Sequence, residues 1–348
     1  MKKYLVCILV LLLIVAIPLC ASAKKTKIGF VLAGPDIFYA TEMNVFKKLA
    51  QEAGWKVQVV SSEYTASKEI ANGEDFIAKK VDAIVIITSN PQSAAEVARK
   101  AKAADIPIFF LESVPLPDVY DIPVAIVSGD WVAMGFSVGE YVGKKYPDSK
   151  IALIEGVYGQ GIAEGIRDGF KQGIESTGAG YEIVFKASGK WQRKEGMDAA
   201  QDLIASRKEF DVLYVMNEAM MGGVLQALKE AGKEGQYKLF SDNGTGEGIE
   251  WIKQGIMEGT CANPPSANGD LMFQMVKAHF EGKDHPKHVI GAQPFLTKAN
   301  VDSSIPWDID TYFKQKAAGT FEVDIYTQPQ KKNQRQKVSF IDLNIWQA

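Results

Sequence analysis

Short, nearly continuous apolar runs alternate along this chain with longer stretches whose apolar positions recur every three or four residues. Lys27–Ala33 is a run of the first kind, the pattern of a strand buried on both faces. Behind it Met43, Phe46, Leu49 and Ala50 form one stripe of a helix that Gly54 stops. Val57–Val60 then reads as a strand and the stretch through Ile70 and Ile77 as a helix. Ala83–Ile87 follows as a strand, 91–104 as a helix opened by Pro91, and Ile108–Leu111 as a strand. The rhythm restarts after Ser128, with helices over Trp131–Lys145 and Ile162–Ser176 around a strand at Ile151–Glu155. Strands at Tyr181–Phe185, Val212–Met216 and Lys238–Phe240 alternate with helices near 196–206 and 219–231. This alternation predicts an α/β fold of doubly wound parallel sheets with helices on both faces. The segment from Phe46 through Gly54 to Val60 is echoed from Phe170 through Gly178 to Phe185, so two similar lobes facing each other are expected.

Residues 1–23 stand outside this rhythm. Lys2 and Lys3 precede an apolar run from Tyr4 to Leu19, and Ala21-Ser22-Ala23 closes it. A charged start, a short apolar stretch and a small-residue site predict a secretory signal cut after Ala23. Lipidation at Cys20 competes with that reading, but bulky Leu19 sits where a small residue is expected, so soluble export is preferred. Cleavage would remove two lysines and no acid, moving the net charge from −3 to −5, which leaves no electrostatic basis for gripping nucleic acid. It would also remove Cys7 and Cys20, leaving Cys261 without an internal partner and best read as a buried, inert thiol. With 47% hydrophobic and 23% charged residues over 348 positions, the chain suits two domains with sizeable cores.

In open parallel sheets, ligands bind beyond the carboxyl ends of the strands. The residues there are polar or aromatic at nearly every exit: Asp36-Ile37-Phe38-Tyr39, Thr88-Ser89-Asn90 and Glu112 in the first half. In the second half they are Tyr158, Trp191, Asn217-Glu218 and Asp242-Asn243. The stretches KIGFVLAGPDIFYATEM, DAIVIITSNP, ADIPIFFLES, VSGDWVAMG, GIRDGF, LYVMNEAMMGGVLQALKEAG and LFSDNGT, in this order and spacing, resemble the type I periplasmic binding proteins. The similarity is greatest to the ribose/galactose-type sugar-binding proteins of ABC importers and covers about residues 27–300.

That resemblance implies two Rossmann-like lobes joined by a three-stranded hinge, a periplasmic location, and ligand capture by closure. By analogy the first lobe is 24–128 plus 264–292, the second 129–263 plus 293–302, and 303–348 is an extension packed on the lobes. Phe38 and Tyr39 match the aromatic pair that flanks the sugar, Asp36 stands near a polar contact before them, and Trp191 matches the aromatic residue of the second lobe. Glu112 falls where the family usually has Asp, Asn217 matches an amide that binds hydroxyls, Asp242 an acidic contact, and Asn263 a Gln. Glu164 takes the place of an arginine of the ribose branch, as does Ser113, and Ser89 completes the expected ligand contacts. Aromatic faces stack on the C–H faces of sugars, while carboxylates and amides bind their hydroxyls. With both arginines gone, ribose itself and anionic ligands are disfavoured; another sugar, a polyol or an amine-bearing ligand fits better.

The expected partners are therefore a small sugar or polyol and an ABC permease, with the protein a monomer that needs no cofactor or metal. Enzyme readings are poor. Gly159–Gly165 imitates a dinucleotide fingerprint, but the strand Tyr181–Phe185 ends in Lys186-Ala187, not in the acid that a ribose requires. His279, His285 and His288 read as exposed histidines without further metal ligands, and neither Ser89 nor Ser128 has a recognisable histidine base. The serious rival is a binding protein that reports its ligand to a membrane kinase or chemoreceptor. The tail from Val301, with Trp307, Tyr312, Phe313 and strand-like Lys337–Ile341, reads as a strap across the lobes, with partner docking as its alternative.

Overall fold

The computed structural model describes residues 25–291 and 293–319, and the backbone of 324–327 and 336–339. The expected signal peptide, residues 1–23 with Cys7 and Cys20, lies outside the described residues, as do Phe340 and Ile341 of the expected last strand.

Two α/β lobes make up the chain. In the first, β1 (Lys27–Leu32), β2 (Lys56–Ser61), β3 (Ala83–Ile86), β4 (Ile108–Leu111) and β5 (Ala125–Ser128) run parallel. β11 (His288–Ile290) joins β5 in parallel, and β13 (Asp324–Thr327) and β14 (Gln336–Ser339) add an antiparallel edge. The resulting eight-stranded order is β14-β13-β11-β5-β4-β3-β1-β2. β3, β4 and β5 are buried at every residue, which is why their sequences show no alternation. The helices α1 (Ile37–Glu52), α2 (Ala66–Ala78), α3 (Pro91–Ala103) and α9 (Pro265–Phe280) belong to this lobe, as does α10 (Ile309–Ala318).

The second lobe has a six-stranded sheet of order β12-β10-β9-β8-β6-β7. Its strands are β6 (Ser149–Glu155), β7 (Tyr181–Ser188), β8 (Val212–Val215), β9 (Lys238–Asn243), β10 (Gly259–Ala262) and β12 (Phe295–Thr297). α4 (Trp131–Lys145), α5 (Ile162–Ser176), α6 (Arg193–Ala205), α7 (Glu218–Glu230) and α8 (Gly246–Gln254) cover it. β9 runs three residues past the expected end at Phe240, because Asp242 and Asn243 pair with Cys261 and Ala262 of β10. α4 and α5 touch backbone to backbone: a Cβ on Gly135 would lie 1.9 Å from Ile166 O, and one on Gly139 2.0 Å from Phe170 O. Cys261 is buried, as expected, and burial pushes its thiol well up.

His288 corrects the sequence expectation. Rather than lying in an exposed connector, it is 1% exposed in β11, opposite Ile126. Its Nε2 lies 2.8 Å from Ser128 Oγ and its Nδ1 3.0 Å from Tyr120 OH. Ser128 therefore does have a histidine beside it, but both are sealed in the sheet, where no substrate reaches them.

The chain passes between the lobes at 128–131, 262–265 and 290–295, the three connections of the expected hinge. It also passes a fourth time. Val301 is buried in the second-lobe core and Tyr312 in the first-lobe core, so residues 304–308 bridge them.

Candidate functional site

The carboxyl ends of both sheets face a common cavity between the lobes. Asp36, Phe38, Tyr39 and Glu112 line it from the first lobe, Trp191, Asn217 and Asn243 from the second, and Asn263 from a crossover. Trp131, Met134, Ile162, Ile166 and Met216 complete the wall. No lysine, arginine or histidine is among the described residues that line it.

Helix capping fixes several of these side chains. Asp36 is the N-cap of α1, its Oδ1 accepting from Phe38 N at 2.7 Å, and this turns Phe38 and Tyr39 of the first helical turn inward. Their rings meet edge to face at 5.9 Å. Burial pushes Asp36 up to about 6, against the opposing pull of the Phe38 N–H. Asn217 caps α7 through Met220 N at 2.8 Å and donates to Trp191 O at 3.1 Å, so much of its amide is committed to the fold. Trp191 donates its indole N–H to Gln160 Oε1 at 2.9 Å, and its ring fills the space that a Cβ on Gly156 would need, 1.9 Å away.

Beneath the first-lobe wall lies a network that the sequence analysis missed. Glu112 Oε1 accepts from Asn268 Nδ2 at 2.7 Å, Asn268 also reaches Asn263 Oδ1 at 2.9 Å, and Asn263 Nδ2 lies 3.5 Å from Glu112 Oε2. Glu42, one helical turn beyond Phe38 and wholly buried, faces Glu112. Neither Glu42 oxygen finds a donor among the described residues. Adjacent buried carboxylates repel one another, and burial and the Glu112 charge push Glu42 well above the usual carboxylate range.

Three of the ten described non-glycine residues with positive φ stand on the cavity wall. Glu112, Trp191 and Asn243 hold φ values of 59°, 65° and 98°, left-handed conformations that non-glycine side chains adopt at a cost of roughly 1 kcal/mol or more. Such strain persists where surrounding structure imposes it, and here all three residues are on the cavity wall.

Of the expected contacts, Asp36, Phe38, Tyr39, Glu112, Trp191, Asn217 and Asn263 come together, while Ser89, Glu164 and Asp242 do not. Ser89 gives its hydroxyl to buried Glu69 at 2.7 Å. Glu164 folds back on its own loop, accepting from Gly159 N at 2.8 Å and Gly161 N at 3.2 Å. Asp242 is wholly buried behind the wall, accepting from Tyr214 OH, and burial pushes it up to about 8. Its neighbour Asn243 takes the position on the wall, since successive residues of a strand face opposite sides.

Residues 28–284 match the family described as periplasmic binding protein domain. The ribose import binding protein RbsB of Haemophilus influenzae is 26% identical over 310 residues, covering 89% of this chain and 98% of that protein. A solute-binding protein of Bacillus halodurans solved with bound myo-inositol superposes with a TM-score of 0.74 at 23% identity, over 80% of this chain and 96% of that one. The fructose-binding periplasmic domain of a hybrid two-component system superposes with a TM-score of 0.73 at 21% identity, over 85% and 96%. These two structures share the fold.

Proposed function

The chain belongs to the periplasmic binding protein family, and from that premise we propose that it captures a small polyhydroxylated ligand, a sugar or a polyol, between its lobes. The ligand then passes to the permease of an ABC importer, and the protein acts as an exported monomer. No bond is made or broken. The observation that carries this reading is one cavity with aromatic faces from both lobes, Phe38 and Tyr39 opposite Trp131 and Trp191, beside carboxyl and amide groups. A ring sandwiched there has its C–H faces against aromatics and its hydroxyls against Asp36, Glu112, Asn243 and Asn263.

The sign of the charge narrows the class. Among the described residues acids line the cavity and no cation does, so a neutral polyol or an amine-bearing sugar is favoured over a phosphorylated one. Coupling to transport follows from differential binding: a ligand held by both lobes stabilises the closed arrangement. Ile37 on the first lobe and Val132 and Tyr158 on the second keep apolar side chains in solvent near the strand exits, and suit a permease surface that touches both lobes.

A thermal-shift screen of residues 24–348 against pentoses, hexoses, polyols, amino sugars, nucleosides and sugar phosphates tests the reading. A ligand at about a thousand times its Kd adds about 4 kcal/mol, a melting shift of several degrees. A sugar or polyol hit lost in Trp191→Ala and Asp36→Ala is expected. Response to sugar phosphates alone would overturn the charge argument, and silence from every polyhydroxylated compound would overturn the ligand class.

A further inference from the structure

We infer that Trp307 is a positioning residue of this site, the tip of a fourth interlobe strap that ties the Phe38 wall to the Asn243 wall when the lobes are together. The inference rests on the reading of the cavity as the ligand site. Trp307 is not on the cavity wall, but both residues that it holds are. Its ring meets Phe38 edge to face, with centroids 5.4 Å apart and planes at 75°. Its indole Nε1 donates to Asn243 O at 3.2 Å. Phe38 belongs to the first lobe and Asn243 to the second, so one side chain reaches both walls beside the ligand.

The two ends of the strap explain what this does. On the second lobe, Val301 is 3% exposed and Asp302 pairs with Lys253 at 3.0 Å. On the first, Ser266 Oγ donates to Pro306 O at 2.7 Å, Tyr312 OH donates to buried Asp270 at 2.8 Å, and Lys316 pairs with the same carboxylate. Ile305 and Trp307 pack against the first-lobe core, so the indole travels with that lobe. Its bond to Asn243 O links the indole to the second lobe, and it exists only while the lobes are this close. Opening the cleft breaks that bond; closing it ties the strained Asn243 backbone to an indole already seated against Phe38. Trp307 thus acts through two wall residues without touching the ligand.

The test needs no ligand. Spin labels on cysteines introduced at exposed Glu52 and Glu209, one on each lobe, report the interlobe distance distribution of the full mature chain by double electron–electron resonance. Trp307→Phe keeps an aromatic ring on Phe38 and removes the hydrogen bond; a bond of ordinary net strength predicts about a fivefold shift of population toward the open distances. Trp307→Ala is expected to shift it further. Tyr312→Phe, which loses the bond to Asp270 but not the packing, is expected to lower the melting temperature and leave the distribution unchanged. Identical distributions for the native chain, Trp307→Phe and Trp307→Ala would overturn the inference. A shifted distribution together with silence in the ligand screen would overturn the ligand reading instead and leave the strap standing.

Discussion

Replacing Glu218 by glutamine removes one ionisable group from the second lobe while keeping its shape. The residue is 0% exposed at the start of α7. Its Oε1 accepts from Gly244 N at 2.8 Å and from Thr260 Oγ1 at 2.6 Å, whereas Oε2 has no partner among the described residues. Burial pushes its pKa up to about 8, with those two donors pulling the other way. In the unfolded chain a glutamate titrates near about 4.3. Between the two values the folded protein keeps a proton that the unfolded chain has released. The folded state therefore binds more protons, and its stability falls as pH rises. The contribution is whole below about pH 4 and is lost as pH climbs through about 8, at up to about 1.4 kcal/mol per pH unit. From about pH 5 to about pH 7.5 that amounts to about 3 kcal/mol. Glu218→Gln cannot ionise, so it should match the native protein at the acid end and exceed it by about that amount at the alkaline end. Urea unfolding at a series of pH values measures the difference, with the m-value as the check that both proteins unfold the same surface. Parallel stability curves for the two proteins would refute the reasoning, because they would mean that Glu218 carries the same charge folded and unfolded.

Gly139→Ala places a Cβ 2.0 Å from Phe170 O, a backbone atom that cannot step aside, so a net destabilisation of about 2–3 kcal/mol is expected by denaturant unfolding despite the better helix propensity of alanine. Gly156→Ala drives the Trp191 ring from its seat, since 1.9 Å must open to ordinary contact; a shifted tryptophan emission spectrum and loss of the screen's hits, with native circular dichroism, are expected, and an unchanged spectrum would contradict the packing. Glu42→Gln, which removes the ionisable group and keeps the volume, should stay within about 1 kcal/mol of the native stability, whereas Glu42→Ala, which leaves a buried void, should lose about 2–4 kcal/mol.

The alternation of strands and helices is legible because β3, β4 and β5 are buried throughout and break into neither period, while the helices between them carry one apolar stripe. Phe38, Tyr39, Glu112 and Trp191 are legible for a related reason: each is a bulky aromatic or acidic residue within a few positions of the carboxyl end of a strand. Trp131, Met134, Ile162 and Ile166 are not, since apolar residues three or four apart on a helix read as core, and only the facing lobe turns them into a cavity wall. Glu42 reads as a solvated helix position. It is buried because α9 lies directly on it, with the Gly269 Cα so close that a Cβ there would stand 2.3 Å from Glu42 O. The choice between Asp242 and Asn243 turns on one residue of register, which is set by pairing with β10 and not by either side chain.

What the local sequence hides, the backbone marks. Glu112, Trp191 and Asn243 hold positive φ, a conformation that opposes the preferences of Glu and Trp above all, and they come from different segments of the chain that meet at the cavity. A conflict between local preference and fold survives where something else over-determines the geometry. At Glu112 it is the Asn268 amide; at Trp191 it is the Gln160 and Asn217 hydrogen bonds; at Asn243 it is the β10 pairing and the Trp307 indole. Asn217 lines the cavity itself, whereas Asn268, Gln160 and Trp307 do not line it and have no place among the contacts expected from the sequence. The cavity is thus set as much by the residues that hold its wall in strained conformations as by those that line it.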